Sequence, residues 1–254
     1  MDINAAVRKA CLWLPEAEEF VSHGSPNYRV RGKTFATYVV NHHGDGRVAL
    51  WLPALPGAQE TLISAAPKHF FIPPYVGVRG WVGVLLDTGL SWTRVMGLVR
   101  EAYIKVAPRA LAEGIGKPPL LKTPAKKLPA VQVDPFKSRR AMAVLKGIRK
   151  ICARLPDTRE GSQFGHPVWQ AGKKTFVIAH FHGGRLTLSF WVGVAQQGLF
   201  TQDRRFQVPP YIGHNGWIAL DVQGDCDWRE IANLSLQSYR HFALKRMLAK
   251  LEAA

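Results

Sequence analysis

The strongest constraint on this chain is that it repeats itself. Pro73-Pro74-Tyr75-Val76-Gly77-Val78-Arg79-Gly80-Trp81 occurs again, 136 residues later, as Pro209-Pro210-Tyr211-Ile212-Gly213-His214-Asn215-Gly216-Trp217. Six of the nine positions are identical, and Val76 against Ile212 is conservative. The match extends both ways. Residues 11–19 align with 152–160 at an offset of 141, with Leu14-Pro15 against Leu155-Pro156. Lys33-Thr34-Phe35 matches Lys174-Thr175-Phe176, and Arg47 matches Arg185 at an offset of 138. Trp92 and Tyr103 match Trp228 and Tyr239, again at 136. The three lost residues fall where His42-His43-Gly44-Asp45-Gly46 faces His182-Gly183-Gly184, a Gly-rich segment between apolar runs, where a hairpin turn tolerates a length change. Each unit is about a hundred residues, the size of one domain, so the chain is a duplication.

The boundaries follow: a first copy over 1–113, a linker over 114–136 and a second copy over 137–254. The linker holds Pro118, Pro119, Pro124, Pro129 and Pro135 with Lys117, Lys122, Lys126 and Lys127, a composition that favours an extended basic spacer. Hydrophobic residues make up 47% of the chain, enough for two packed cores. No apolar run is long enough to span a bilayer, and the start Met1-Asp2-Ile3-Asn4 lacks the basic-then-apolar pattern of a secretion signal. Cys11, Cys152 and Cys226 are scattered, which argues against a disulfide framework and a Cys-based zinc site. The expectation is a cytoplasmic protein, away from membranes, with no cofactor.

The formal net charge of +16 is unevenly spread. Residues 1–113 carry 12 basic and 9 acidic side chains, 114–136 carry 4 and 1, and 137–254 carry 18 and 8. The second copy alone is therefore +10. Positive charge concentrated on one folded unit is the footprint of a polyanion binder, or simply of a basic, soluble surface.

Along the chain, Asp2 is placed to cap a first helix with Ile3, Val7, Cys11 and Leu14 on one face. Glu16, Glu18 and Glu19 read as a solvated acidic turn. Short strand patterns follow around Arg31-Gly32-Lys33, over 34–40 and over 47–52, then a helical stretch over 55–65. A short strand over 69–72, the Pro-Pro-Tyr loop and a strand from Trp81 precede a closing helix capped by Ser91. In the second copy, Asp134-Pro135 opens a helix whose apolar face is Ala141, Leu145, Ile148 and Cys152. Arg139, Arg140, Lys146, Arg149, Lys150 and Arg154 occupy the rest, and no acidic residue interrupts 136–156. The stretch 195–203, with Gln196, Gln197 and Gln202, reads as a polar loop. The fold class is α+β: two tandem repeats, each a mainly antiparallel sheet of about five strands with helices packed on one face.

Four features together resemble the MmcQ/YjbR family: the Leu-Pro after the first helix, the Gly-Lys-x-Phe-type strand start, the loop ending in Gly-Trp before a strand, and the closing Trp…Tyr helix. The resemblance covers both copies and spares only the linker. It implies a CyaY-like α+β fold in each copy and DNA binding through a double-wing surface. Where the family has an Asn-Lys-x-His-Trp pattern before the strand, this chain has Gly77-Val78-Arg79-Gly80-Trp81 and Gly213-His214-Asn215-Gly216-Trp217.

The candidate phosphate contacts are Arg139, Arg140, Arg149, Lys173, Lys174, Arg185, Arg204 and Arg205 in the second copy, with Lys33, Arg47 and Arg79 in the first. The hairpins over 29–47 and 173–185 are the candidate wings; equally, their cations block edge pairing. The Pro-Pro-Tyr loop is either a rigid core element or an exposed platform offering Tyr75, Tyr211 and His214 to unpaired bases. His42, His43, His180 and His182 suggest a metal, but no third ligand type lies nearby, so none is expected. Asp221, Asp225 and Asp227 read as a turn and a helix cap. No nucleophile elbow, phosphate-cradling loop or zinc-protease motif is present, so the chain is not read as an enzyme. The sequence supports a non-enzymatic protein for double-stranded DNA, nucleoid-associated, with weak sequence selectivity. The alternative is a protein-interaction or small-ligand module using the cleft between the repeats.

Overall fold

The computed structural model describes residues 1–124, 127–182 and 184–253, with the side chain of His182 outside the described residues. Lys126, assigned to the basic linker, also lies outside them. The chain divides into two compact units, Met1–Val133 and Asp134–Ala254.

In the first unit, α1 (Ile3–Leu12) precedes β1 (Glu18–Ser22), β2 (Ser25–Val30), β3 (Lys33–Val40) and β4 (Val48–Pro53). After α2 (Ala58–Ala65) come β5 (Phe70–Phe71), β6 (Trp81–Leu85), α3 (Trp92–Val106), α4 (Arg109–Glu113) and α5 (Ala130–Val133). The second unit repeats this with α6 (Arg139–Cys152), β7 (Thr158–Gln163), β8 (His166–Ala171), β9 (Lys174–His182), β10 (Arg185–Trp191) and α7 (Val194–Phe200). It closes with β11 (Phe206–Gln207), β12 (Trp217–Asp221), α8 (Trp228–Phe242) and α9 (Lys245–Glu252). Each unit is one six-stranded antiparallel sheet, ordered β1-β2-β3-β4-β6-β5 and β11-β12-β10-β9-β8-β7.

The sheets have one strand more than the pattern suggests. The acidic segment after α1 is not a loop: Glu18–Ser22 is an edge strand paired with β2, and Thr158–Gln163 repeats it. Their side chains are mostly half-buried or exposed, so no apolar alternation announces them. The polar stretch near 195–203 is largely helix α7. Ser138 caps α6, and Asp134 instead caps a short 3-10 turn ahead of it.

Helices cover one face of each sheet. In the first copy, α1 and α3 pack Val7, Cys11, Val95, Val99 and Tyr103 against Phe35, Leu50 and Val84. In the second, α6 and α8 pack Val144, Ile148, Ile231 and Tyr239 against Phe176, Leu188 and Ile218. A buried tyrosine ties each closing helix to the Leu-Pro corner: Tyr103 donates to the Pro15 carbonyl at 2.6 Å, and Tyr239 to the Pro156 carbonyl at 2.8 Å. Linker residues Leu121 and Leu128 pack into the first core. No helix among the described residues is long and apolar enough to cross a membrane.

Candidate functional site

The duplicated Pro-Pro-Tyr loop has the same geometry in both copies. The Val76 amide donates to the Pro74 carbonyl at 2.7 Å and the Gly77 amide to the Pro73 carbonyl at 3.0 Å. The Ile212 and Gly213 amides repeat these bonds to Pro210 and Pro209 at 2.8 and 3.0 Å. The central tyrosines sit at φ 63° and 64°, left-handed backbone that a bulky side chain rarely adopts. Gly77 and Gly213 are required by close approach, since a Cβ there would run into the side chains of Ile72 and Val208. One glutamine locks each loop. Gln59 Nε2 donates to the carbonyls of Gly77 (2.8 Å) and Trp81 (2.5 Å), and Gln197 Nε2 to those of Gly213 (2.6 Å) and Trp217 (2.7 Å). Both glutamines come from the short helix after the fourth strand and stand 138 residues apart, so the pair is visible in the repeat alignment, where Gln197 reads only as a polar loop residue. The tyrosines are not core residues: Tyr75 is 64% exposed and Tyr211 84%. His214 and Arg79 are exposed on the same loops.

Beneath this loop, on the sheet face away from the helices, the copies differ. In the first, Val39, Ala49 and Trp51 cluster with Phe71, Val76, Trp81 and Leu85. His42 and His43 add to the filling: His43 Nε2 and the Tyr75 hydroxyl share a hydrogen bond of 2.8 Å, and the His42 ring meets Trp51 edge-on at 4.9 Å. Burial, and then the neighbouring His43, hold His42 below the usual histidine range. In the second copy, the repeat offsets put His180 at the place of Val39, Thr187 at Ala49, Ser189 at Trp51 and Gln207 at Phe71. In place of the first copy's large apolar side chains, this face holds a pocket of about 410 Å³ under Tyr211.

The cations predicted to meet phosphate fall into two groups. Four are occupied inside the second copy. Arg140 donates to the carbonyls of Val222 (2.8 Å) and Gly224, fastening the β12–α8 loop to α6. Arg149 makes a bidentate pair with Glu160, which raises its pKa; the first copy repeats that pair as Arg8 and Glu19. Arg185 pairs with Asp221 at 2.6 Å. Arg205 binds Asp203 and Glu230, which raises its pKa and holds Asp203 below the usual carboxylate range. In the first copy, Arg47 stacks over Phe71 at 4.2 Å beside Asp45.

Arg139, Lys173, Lys174, Arg204, Lys33 and Arg79 form the second group: exposed, with no ion-pair partner among the described residues. Lys146 and Lys150 on α6 share this state. Arg139, Lys146 and Lys150 are seven and four residues apart, so they line one helix stripe over about 16 Å, opposite the buried Ala141, Val144, Ile148 and Cys152. That stripe starts beside Val222, at the sheet end that carries Arg204 and Arg205. It runs toward Thr158 and Ala171, at the end that carries Lys173 and Lys174. The register separates Lys173 and Lys174 from Arg185: they stand at opposite ends of β9, so they do not form one wing tip.

Among the described residues, no three His, Cys, Asp or Glu side chains gather into a metal-holding group. Cys11 and Cys152 are buried thiols pushed up in pKa, chiefly by desolvation, and so are chemically quiet. Asp227 caps α8 through the amides of Arg229 and Glu230.

Two six-stranded sheets with helices on one face, each carrying the same strained loop, define a tandem α+β protein built by duplication. The YjbR family model matches residues 12–104 and again 153–241, more than half of the chain. The chain therefore belongs to the YjbR family and carries two copies of its domain. It is also similar to the crystal structure of the Deinococcus radiodurans protein DR2400, a DUF419 domain, at 21% identity over 50% of this chain and 97% of that one, with a TM-score of 0.39. No curated protein matches it.

Proposed function

We propose that the protein binds double-stranded DNA without catalysis, through the second copy, as a nucleoid-associated component of the cytoplasm. One observation carries the reading: the solvent stripe of α6 presents Arg139, Lys146 and Lys150 with no carboxylate between residues 136 and 156. Its neighbour Arg149 is neutralised by Glu160, yet the stripe itself stays uncompensated. Unpaired, exposed cations in a row release counterions on meeting phosphates, which gives affinity without sequence reading. Arg204 at one end of the stripe and Lys173 and Lys174 at the other extend the path. Arg140, Arg185 and Arg205 serve the fold, so the contact set is smaller than the sequence suggests and includes Lys146 and Lys150.

The test is fluorescence anisotropy of the full chain with a short random duplex at several salt concentrations. The reading expects log K to fall linearly with log salt, with a slope of about −4 to −6 for roughly five to seven phosphate contacts. Absence of binding even at low salt overturns it.

A further inference from the structure

We infer that the second copy holds a binding site for an uncharged, flat nitrogen heterocycle of nucleobase size, in the pocket between the open sheet face and the Pro-Pro-Tyr loop. The pocket volume of about 410 Å³ lies within the range of small-molecule sites. Its floor comes from adjacent strands: His180 on β9, Thr187 and Ser189 on β10, and Ala219 on β12. Phe164 from the β7–β8 turn, His166 at the start of β8, and Pro210 and Tyr211 from the loop also line it.

The lining selects the ligand class. Among the described residues, no Asp, Glu, Lys or Arg lines the pocket, so a charged ligand would be desolvated without a carboxylate or a lysine or arginine to pair it. The aromatic side chains of Phe164, His166, His180 and Tyr211 line it, which favours a planar guest over an aliphatic one. Ser189 supplies the polar anchor. It is 0% exposed, and its Oγ has no hydrogen-bond partner among the described residues. A buried hydroxyl without a partner costs stability, and a ligand edge bearing a donor or acceptor satisfies it. Thr187, 2% exposed, lies two residues away on the same face.

The first copy is the internal control. There Trp51 occupies the Ser189 position and fills the equivalent space with Val39 and Phe71. Where the first copy has apolar packing, the second has the Ser189 hydroxyl, while Tyr211 has the same strained backbone as Tyr75. A buried polar group left unsatisfied beside a pocket, at a position the other copy fills with Trp51, marks a site used for something other than stability.

The test uses the full chain with free adenosine, guanosine, cytidine and thymidine as probes, followed by calorimetry and by NMR. At least one nucleoside should bind with a dissociation constant on the order of 100 µM, as expected for a ligand of about 20 heavy atoms. Ser189→Ala should weaken binding about five- to tenfold without lowering Tm, because it removes an unpaired hydroxyl. Ser189→Trp, which copies Trp51, should abolish binding; if it fails to fold, Ser189→Ala carries the test alone. A second arm compares a duplex bearing one unpaired thymine with its fully paired counterpart, at salt high enough to suppress phosphate contacts. A preference for the unpaired base, lost in Ser189→Ala, identifies the guest as a base within a strand. Nucleoside binding without that preference identifies it as a free small molecule. Failure of both arms, or nucleoside binding unchanged in Ser189→Ala, overturns the inference. The duplex reading is untouched by that failure, since it is measured at low salt on paired DNA.

Discussion

The two copies share a backbone plan and diverge in what they leave unsatisfied. In the first, several arginines meet carboxylates, among them Arg8 with Glu19, Arg29 with Glu18, Arg31 with Glu16 and Arg94 with Glu101, and its outlying Lys33 and Arg79 do not share one helix stripe. Its outer sheet face is filled by Trp51 and its neighbours. In the second, the Arg8–Glu19 pair survives as Arg149–Glu160, and Arg185 and Arg205 also meet carboxylates, but Arg159 stands at the place of Glu18, and Arg139, Lys146 and Lys150 along α6 have no ion-pair partner among the described residues. Its outer face is open above Ser189. Duplication lets one copy keep a filled outer face while the other carries a cation stripe on α6 and a pocket. Tyr103 and Tyr239, like Gln59 and Gln197, make the same internal contacts in both copies and hold the fold, and features confined to the second copy are candidates for function.

That division can be broken at several points. The largest effect is expected at Trp51, 7% exposed. Trp51→Ser, the residue of the second copy, should destabilise the first copy by about 3–5 kcal/mol through lost burial and the cavity left behind. Urea unfolding of the full chain reads this as a shift of the midpoint, and a shift under about 1 kcal/mol would mean that the filled face contributes little. Next is Arg140, whose guanidinium holds two carbonyls of the β12–α8 loop. Arg140→Ala should cost about 2 kcal/mol of stability and leave duplex affinity within about twofold. Loss of affinity with unchanged stability would return Arg140 to the binding surface.

A smaller effect of opposite sign is expected at the strained tyrosines. Tyr211→Gly relieves the positive φ and should stabilise the second copy by about 0.5–1 kcal/mol. Tyr75→Gly should gain less, because it also breaks the hydrogen bond to His43. Equal gains in thermal melts would show that the first-copy aromatic filling does not hold its tyrosine. The smallest effect is on pH. His42 titrates below its unfolded value, so its neutral form favours the fold. Its contribution is complete above the ordinary histidine pKa of about 6.5 and is lost as pH falls toward the folded value. The loss should be small, since the ring is only partly buried. Burial also lowers His241 in the second copy, so comparing wild type with His42→Asn between pH 7.5 and 5.5 isolates the first-copy share.

Much of this was legible in the residues. The repeat implied two domains, the resemblance implied the family, and alternation within Leu186-Thr187-Leu188-Ser189-Phe190 already separates a polar face from a core face. The edge strands β1 and β7 were not, because their polar residues carry no core signal. The fate of Arg140 and Arg185 was also hidden: their partners lie 82 and 36 residues away, and a basic run looks the same whether or not the fold supplies acceptors. The pocket required knowing that Ser189 and Trp51 face the same way, which the 138-residue offset hints at and only the register settles.

The most direct measurement compares three full-length proteins by duplex anisotropy across salt: wild type, a first-copy reversal (Lys33→Glu, Arg79→Glu) and a second-copy reversal (Arg139→Glu, Lys146→Glu, Lys150→Glu). A binding second copy predicts that its reversal weakens affinity more than about tenfold at low salt and flattens the salt slope by about 3, while the first-copy reversal stays within about twofold. Equal losses in both reversals, or unchanged binding by the second, would contradict the division of labour between the copies.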